Sequence, residues 1–327
     1  MVHAQVGTQS TQTKDSISKA DTVRIFADTT KAPKFNFEQD FRNRNPFKFP
    51  TELKPKRLTT ALTVEGSLYV ATMLGLNQLW YSKYAKSDFH LFDDSKEWLQ
   101  MDKVAHGMSA STIANFCFYS YRWSGVKHKP AVLYAGFASL AYMTTIEVLD
   151  GYSTGWGFSL SDMTANIAGT SFFMVQQLVW QRQYIKMKMS YHPTQFANMR
   201  PELLGDNGVQ RILKDYNGLT FWMSMGSAVF VPKKSHFPRW ISLAVGYGAE
   251  GMLGGTENPQ FNQAGDRLGD YQRYRQFYLS LDVDFSVIRT KSKFVKVLLL
   301  ALNAVKIPFP TLEYNTKGQF KFHYLYF

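Results

Sequence analysis

A chain of 327 residues, 45% hydrophobic and 19% charged, has enough apolar material for a sizeable core and excludes collagen-like, coiled-coil and wholly disordered classes. Its formal charge of +12 points to an anionic partner. With no zinc-finger spacing, no RNP aromatic motif and no Arg-clustered helix, that partner reads as an anionic membrane surface, with no nucleic acid.

No complete signal peptide is visible at the N-terminus. Met1 is followed by no apolar h-region, yet Val2-His3-Ala4 before Gln5 fits the small-x-small rule of a cleavage site. This predicts a signal peptide missing or truncated at Ala4-Gln5, with a chance match as the competing reading. Residues 1–57 are expected to form a flexible or extended arm: polar to about residue 33, then basic and aromatic from Phe35 to Arg57, a pattern that suits a membrane interface or a partner surface.

Four long uncharged stretches follow, Gly66 to Ser82, Val104 to Tyr121, Pro130 to Ile146 and Met163 to Gln181. Their length approaches that of a bilayer span, and polar residues such as Asn77, His106, Asn115, Asn166 and Gln176 interrupt them. They predict four packed helices in a membrane-associated unit over residues 58–192. Gly107 and Ser111, Ala110 and Ala114, and Ala165 and Gly169 fall at small-xxx-small spacing, which lets helices approach closely. Cys117, the only cysteine, lies in an apolar run, reads as a small buried residue and allows neither a disulfide framework nor a CxxC site.

Pro193, Pro201 and Gly205 mark a linker over residues 193–219. Beyond it, Thr220 to Phe230, Trp240 to Tyr247, Tyr274 to Phe285 and Phe320 to Phe327 read as strands, and 294–305 as an inserted helix. Residues 220–327 therefore predict an antiparallel sheet, half-open or barrel-like, and the chain as a whole an α+β fold. Gly246-Tyr-Gly248-Ala-Glu-Gly251 matches GxGxxG formally, but the required helix does not follow, so a glycine-rich strand end is expected rather than a dinucleotide site.

The chemistry-bearing residues gather between Asp102 and Asn166. Asp102 and His106 are four apart, Glu147 and Asp150 three apart, and Asp162 and Asn166 four apart, so each pair shares a helix face. Acids and a histidine inside apolar helices must pair, protonate or bind a cation. The pattern DKxxH, an acid at the end of the next apolar helix, then DxxxNxxG resembles the YfiM-like predicted periplasmic lipoproteins and, more remotely, the VanZ-like family. It covers roughly Trp98 to Trp180, with Asp102, Lys103, His106, Glu147, Asp150, Asp162, Asn166 and Gly169 on the pattern. The lipoprotein cysteine is missing from it. The resemblance implies envelope location and a helical unit with a polar centre, and carries no reaction.

From the residues, two arrangements compete. In one, His106, Glu147, Asp150 and Asp162 bind a divalent cation (zinc, manganese or calcium) with Asp102 and Asn166 behind them. In the other, Ser159 and Asp162 form a capping box, Asp102 pairs with Lys103 and His106 with Glu147 as a packing network. The expected function is a non-enzymatic accessory subunit of an outer-membrane or periplasmic assembly, of barrel-assembly or secretion type, meeting lipid or the membrane interface. The alternative is a metal-dependent enzyme acting on lipid or cell-wall material.

Overall fold

Proline at the first position starts the first helix, α1 (Pro55–Leu79), where its missing N–H costs nothing. The computed structural model describes residues 49–79, 81–231, 236–288 and 290–326, all within one compact unit, Arg44–Phe327. The expectations for residues 1–48 and for Phe327 lie outside the described residues.

Three further long helices follow, α2 (Met101–Ser124), α3 (His128–Gly151) and α4 (Leu160–Trp180), so each uncharged stretch forms a helix. Gly125 ends α2 in the left-handed conformation at φ 93°. Ser159 caps α4 by accepting the amide of Asp162 at 3.0 Å. The helices pack around Ala114, Cys117, Phe118, Ala131, Ala135 and Phe173. Small residues set the spacing: a Cβ on Gly169 would lie 1.9 Å from the carbonyl oxygen of Gly107. Cys117 is buried in this core, and burial pushes its thiol up to about 12, which suits packing and not reaction.

Among the described residues, six strands form one antiparallel sheet in sequence order: β1 (Ile185–Tyr191), β2 (Leu219–Gly226), β3 (Ile241–Glu250), β4 (Tyr274–Val283), β5 (Phe309–Asn315) and β6 (Phe320–Tyr326). Two of them were not expected. The helical unit expected over residues 58–192 ends earlier: Gln181 at φ 52° closes α4, and IKMKMSY alternates with period two as a strand. Its lysines point inward, Lys186 to Asp284 and Lys188 to Asp282, each at 2.7 Å. β5 was hidden by Pro310, which sits at the register shift between Phe309 and Thr311, where a missing N–H breaks no ladder bond.

The span 193–219, expected as a linker, instead forms three short helices, α5 (Phe196–Met199), α6 (Pro201–Leu204) and α7 (Gly208–Lys214). Phe196, Ala197 and Leu204 bury against Leu253 and Leu268. Met101 and Met108 of α2 pack on Leu219 and Phe221 of β2, so helices and sheet share a core. The inserted helix, α8, runs Lys293–Leu302.

The polarity of the sheet is inverted. Its buried face carries Lys188, Trp222, Tyr278 and Glu313 in one register row, and Ser224, Ala244, Ser280 and Thr311 in another. The opposite face is covered by α2 at Leu219 and Phe221 and beyond them carries an exposed, unbroken apolar row, Met223, Val245, Leu279, Leu312 and Phe322, across five strands. The sheet curls without closing, so that Tyr326 of β6 reaches Tyr278 at 2.7 Å and Thr220 of β2 at 3.1 Å. Residues 304–306 cover the free edge of β1, where the Lys306 amide donates to the Met189 carbonyl at 2.9 Å.

Candidate functional site: a buried charge cluster between three helices

α2 begins with a costly turn. Trp98, Leu99 and Gln100 all have positive φ (48°, 50° and 63°), which side chains other than glycine rarely adopt. The sheet holds this turn in place: Arg275 of β4 donates to the Leu99 carbonyl at 2.7 Å and to Gln100 Oε1 at 2.5 Å. The next residues, Asp102, Lys103 and His106, therefore enter α2 at a fixed height against α4.

Lys103 Nζ is the hub. It lies 2.6 Å from Asp94, 3.1 Å from Asp102 and 2.8 Å from Asp162. His106 sits beside it, with Nδ1 3.1 Å from Glu147 Oε1 and Nε2 facing Asp102 Oδ1 at 3.8 Å and Asp162 Oδ2 at 4.0 Å. Tyr216 donates to Asp102 Oδ1 at 2.5 Å, and Ser159 and Ser161 each donate to Asp94 Oδ1 at 2.6 Å. Asn166 Nδ2 donates to Glu147 Oε1 at 3.4 Å, leaving its buried Oδ1 without a hydrogen-bond partner.

Burial and charge act against each other here. Burial disfavours the His106 imidazolium, but Glu147, Asp102 and Asp162 outweigh it and push its pKa up to about 10. Burial and the charge of Asp102 push Asp162 up to about 8. Burial pushes Asp150 up to about 7 against the bond it accepts from Tyr81. Burial also opposes ionisation of Asp94, yet hydrogen bonds from Asp162, Lys103 and the two serines hold it well below the usual carboxylate range. For Lys103 burial is outweighed by its carboxylates, and the ammonium is retained.

The structure thus brings His106, Glu147, Asp162, Asp102 and Asn166 together. Asp150 turns away and accepts from the Tyr81 hydroxyl at 2.9 Å. Asp102 faces His106 Nε2, whereas Glu147 faces the other ring nitrogen. Asp94 and Tyr216 were not legible: each sits in a connecting segment without periodicity, Asp94 just before α2 and Tyr216 far from it in sequence. Both capping and pairing elements of the packing network are present, in Ser159 with Asp162 and Lys103 with Asp102. Gly246 and Gly248 of the GxGxxG match lie inside β3, where a Cβ would strike the Trp222 ring at 2.7 Å and the Tyr278 ring at 3.2 Å.

Fold and site together define an α+β protein with an inverted open sheet and a buried lysine, histidine and carboxylate centre between helices. Residues 88–177 match the family described as predicted periplasmic lipoprotein (DUF2279). The match spans Asp94, α2, α3 and most of α4, hence the whole charge cluster except Tyr216, and it indicates the periplasm or envelope as the compartment. No curated protein and no solved structure matches the chain.

Proposed function

We propose that this chain is a non-enzymatic, membrane-apposed subunit of an envelope assembly, with the charge cluster as the centre that fixes its helices. The inverted sheet carries this reading. A water-facing sheet puts its polar residues outward, whereas this one exposes Met223, Val245, Leu279, Leu312 and Phe322 and buries Lys188, Asp282 and Glu313. Apolar outside and polar inside is the pattern of strands that meet lipid or a hydrophobic partner. The helices continue it: α1 exposes Leu62, Leu68 and Leu74, α3 exposes Leu133, Tyr134 and Phe137, and α4 exposes Ile167, Val175 and Val179. Of the described helices, α3 is also long and apolar enough to cross a membrane by length and composition.

The test is purification after gentle detergent solubilisation, comparing the natural chain with a Val245→Lys, Leu279→Lys variant. Both positions are outward and exposed, so the variant should keep its melting temperature while losing membrane retention and stoichiometric partners. A chain that stays soluble and monomeric without detergent, with the variant indistinguishable, would overturn the proposal. So would a solitary active protein whose His106→Ala variant folds but loses turnover, which is the outcome for the metal-dependent enzyme reading.

A further inference from the structure

Asp102 and Asp162 divide their oxygens. Oδ2 of Asp102 and Oδ1 of Asp162 face Lys103, at 3.1 and 2.8 Å, while Oδ1 of Asp102 and Oδ2 of Asp162 face His106 Nε2, at 3.8 and 4.0 Å. On the far side of the ring Glu147 Oε1 approaches Nδ1 to 3.1 Å. A carboxylate behind a histidine is the arrangement that fixes the tautomer and turns the free nitrogen towards a metal.

The donor atoms of Asp102, His106 and Asp162 lie within 4.8 Å of one another. A tetrahedral ion with bonds of about 2.0–2.2 Å holds its donors roughly 3.4 Å apart, so modest side-chain rotations would close the set. Lys103 keeps the outer oxygens engaged and lowers the charge of the pair, and Tyr216 can remain a donor to Asp102 Oδ1, which has a second lone pair.

A second observation points the same way. Asn166 is fully buried one turn along α4 from Asp162, with its amide against Glu147, and its Oδ1 has no hydrogen-bond partner. A buried carbonyl oxygen without a donor is costly, and it marks an unmet polar requirement beside Glu147, the carboxylate behind His106. His106 and Asp102 are partly open, with side chains 16% and 19% exposed, which gives an ion a way in.

We infer that Asp102, His106 and Asp162 bind one first-row divalent cation, with Glu147 and Lys103 positioning them. One nitrogen and two carboxylate oxygens suit zinc or manganese, and the ion displaces the protons that His106 Nε2 and Asp162 otherwise hold. Asp102 replaces Glu147 and Asp150 in the donor set expected from the sequence. The inference does not depend on the apolar contact surface: ion binding and partner recovery are read separately and can fail separately.

The test uses the full chain in detergent, purified without a polyhistidine tag, stripped with EDTA and titrated with zinc or manganese alone. Metal content and melting temperature are followed together. The expected result is one ion per chain with a rise in melting temperature. His106→Gln and Asp162→Asn should abolish both, Glu147→Gln should weaken binding by roughly 10- to 100-fold, and Asp150→Asn should leave it unchanged. Should His106→Gln fail to fold, the size-conserving Asp102→Asn and Glu147→Gln carry the comparison. No stoichiometric uptake of either metal would overturn the inference, as would uptake that survives Asp162→Asn, which marks an adventitious ion only.

Discussion

Gly169 of α4 touches the backbone of Gly107 of α2 so closely that a methyl group on it would lie 1.9 Å from the Gly107 carbonyl oxygen. This crossing lies one residue from His106 and seven from Asp162, and it sets how near the two helices bring their charged side chains. Gly169→Ala should therefore force the helices apart. Overpacking of this kind costs about 1–3 kcal/mol, read as a lower denaturation midpoint. A wild-type midpoint for the variant would show that the crossing relaxes without cost.

Arg275 couples the sheet to the start of α2. Its guanidinium is bonded to the Leu99 carbonyl and to Gln100 Oε1, across a turn in which three residues hold positive φ. Arg275→Met should release the turn and destabilise the protein by about 1.5–3 kcal/mol, the usual range for hydrogen bonds to charged groups. Amide exchange at residues 98–103 should rise more than at α3. Equal protection in variant and natural chain would show that the other bonds to the turn, Trp98 N–H to the Gly255 carbonyl and Tyr247 hydroxyl to the Leu99 carbonyl, hold it without Arg275.

Asp150 gives a pH signature. Its pKa is raised from 3.8 to about 7 in the folded chain, so the folded state binds a proton more readily than the unfolded one. Its contribution to stability is complete below 3.8 and is lost as pH rises through about 7. Asp150→Asn keeps an acceptor for Tyr81 and removes the charge. Melting temperatures between pH 4 and 8 should fall less for Asp150→Asn than for the natural chain, and parallel curves would refute the assignment.

The Lys188 and Asp282 pair separates charge from packing. Both side chains are fully buried and 2.7 Å apart on the inner face of the sheet. Asp282→Asn alone leaves a buried ammonium short of its counter-charge and should cost about 3–5 kcal/mol. Lys188→Met with Asp282→Leu should recover most of that loss, since an apolar pair of similar volume carries no desolvation penalty. Equal destabilisation by the single and double variants would place the cost in shape rather than charge.

Much of this molecule follows from local pattern. Uncharged runs between charged ends specify α1 to α4, because side chains three and four apart share a face, and small residues at 107 and 169 prepare the close crossing. The spacing of Asp102 with His106, and of Asp162 with Asn166, places each pair on one face before any tertiary contact is known. The sequence could not reveal which face of the sheet is buried, since alternation is the same in phase and counter-phase; only the curl of the sheet and the burial of Lys186 and Lys188 decide it. Nor could it assign Asp94 and Tyr216 to the cluster, or send Asp150 to Tyr81, because Tyr216 and Tyr81 reach their carboxylates from segments remote in sequence and Asp94 reaches Lys103 from a connecting turn without periodicity. Periodicity acts over a few residues and was readable. The choice of partner for a buried charge is settled by which carboxylate the packed helices bring within about 3 Å, and only the tertiary structure makes that choice.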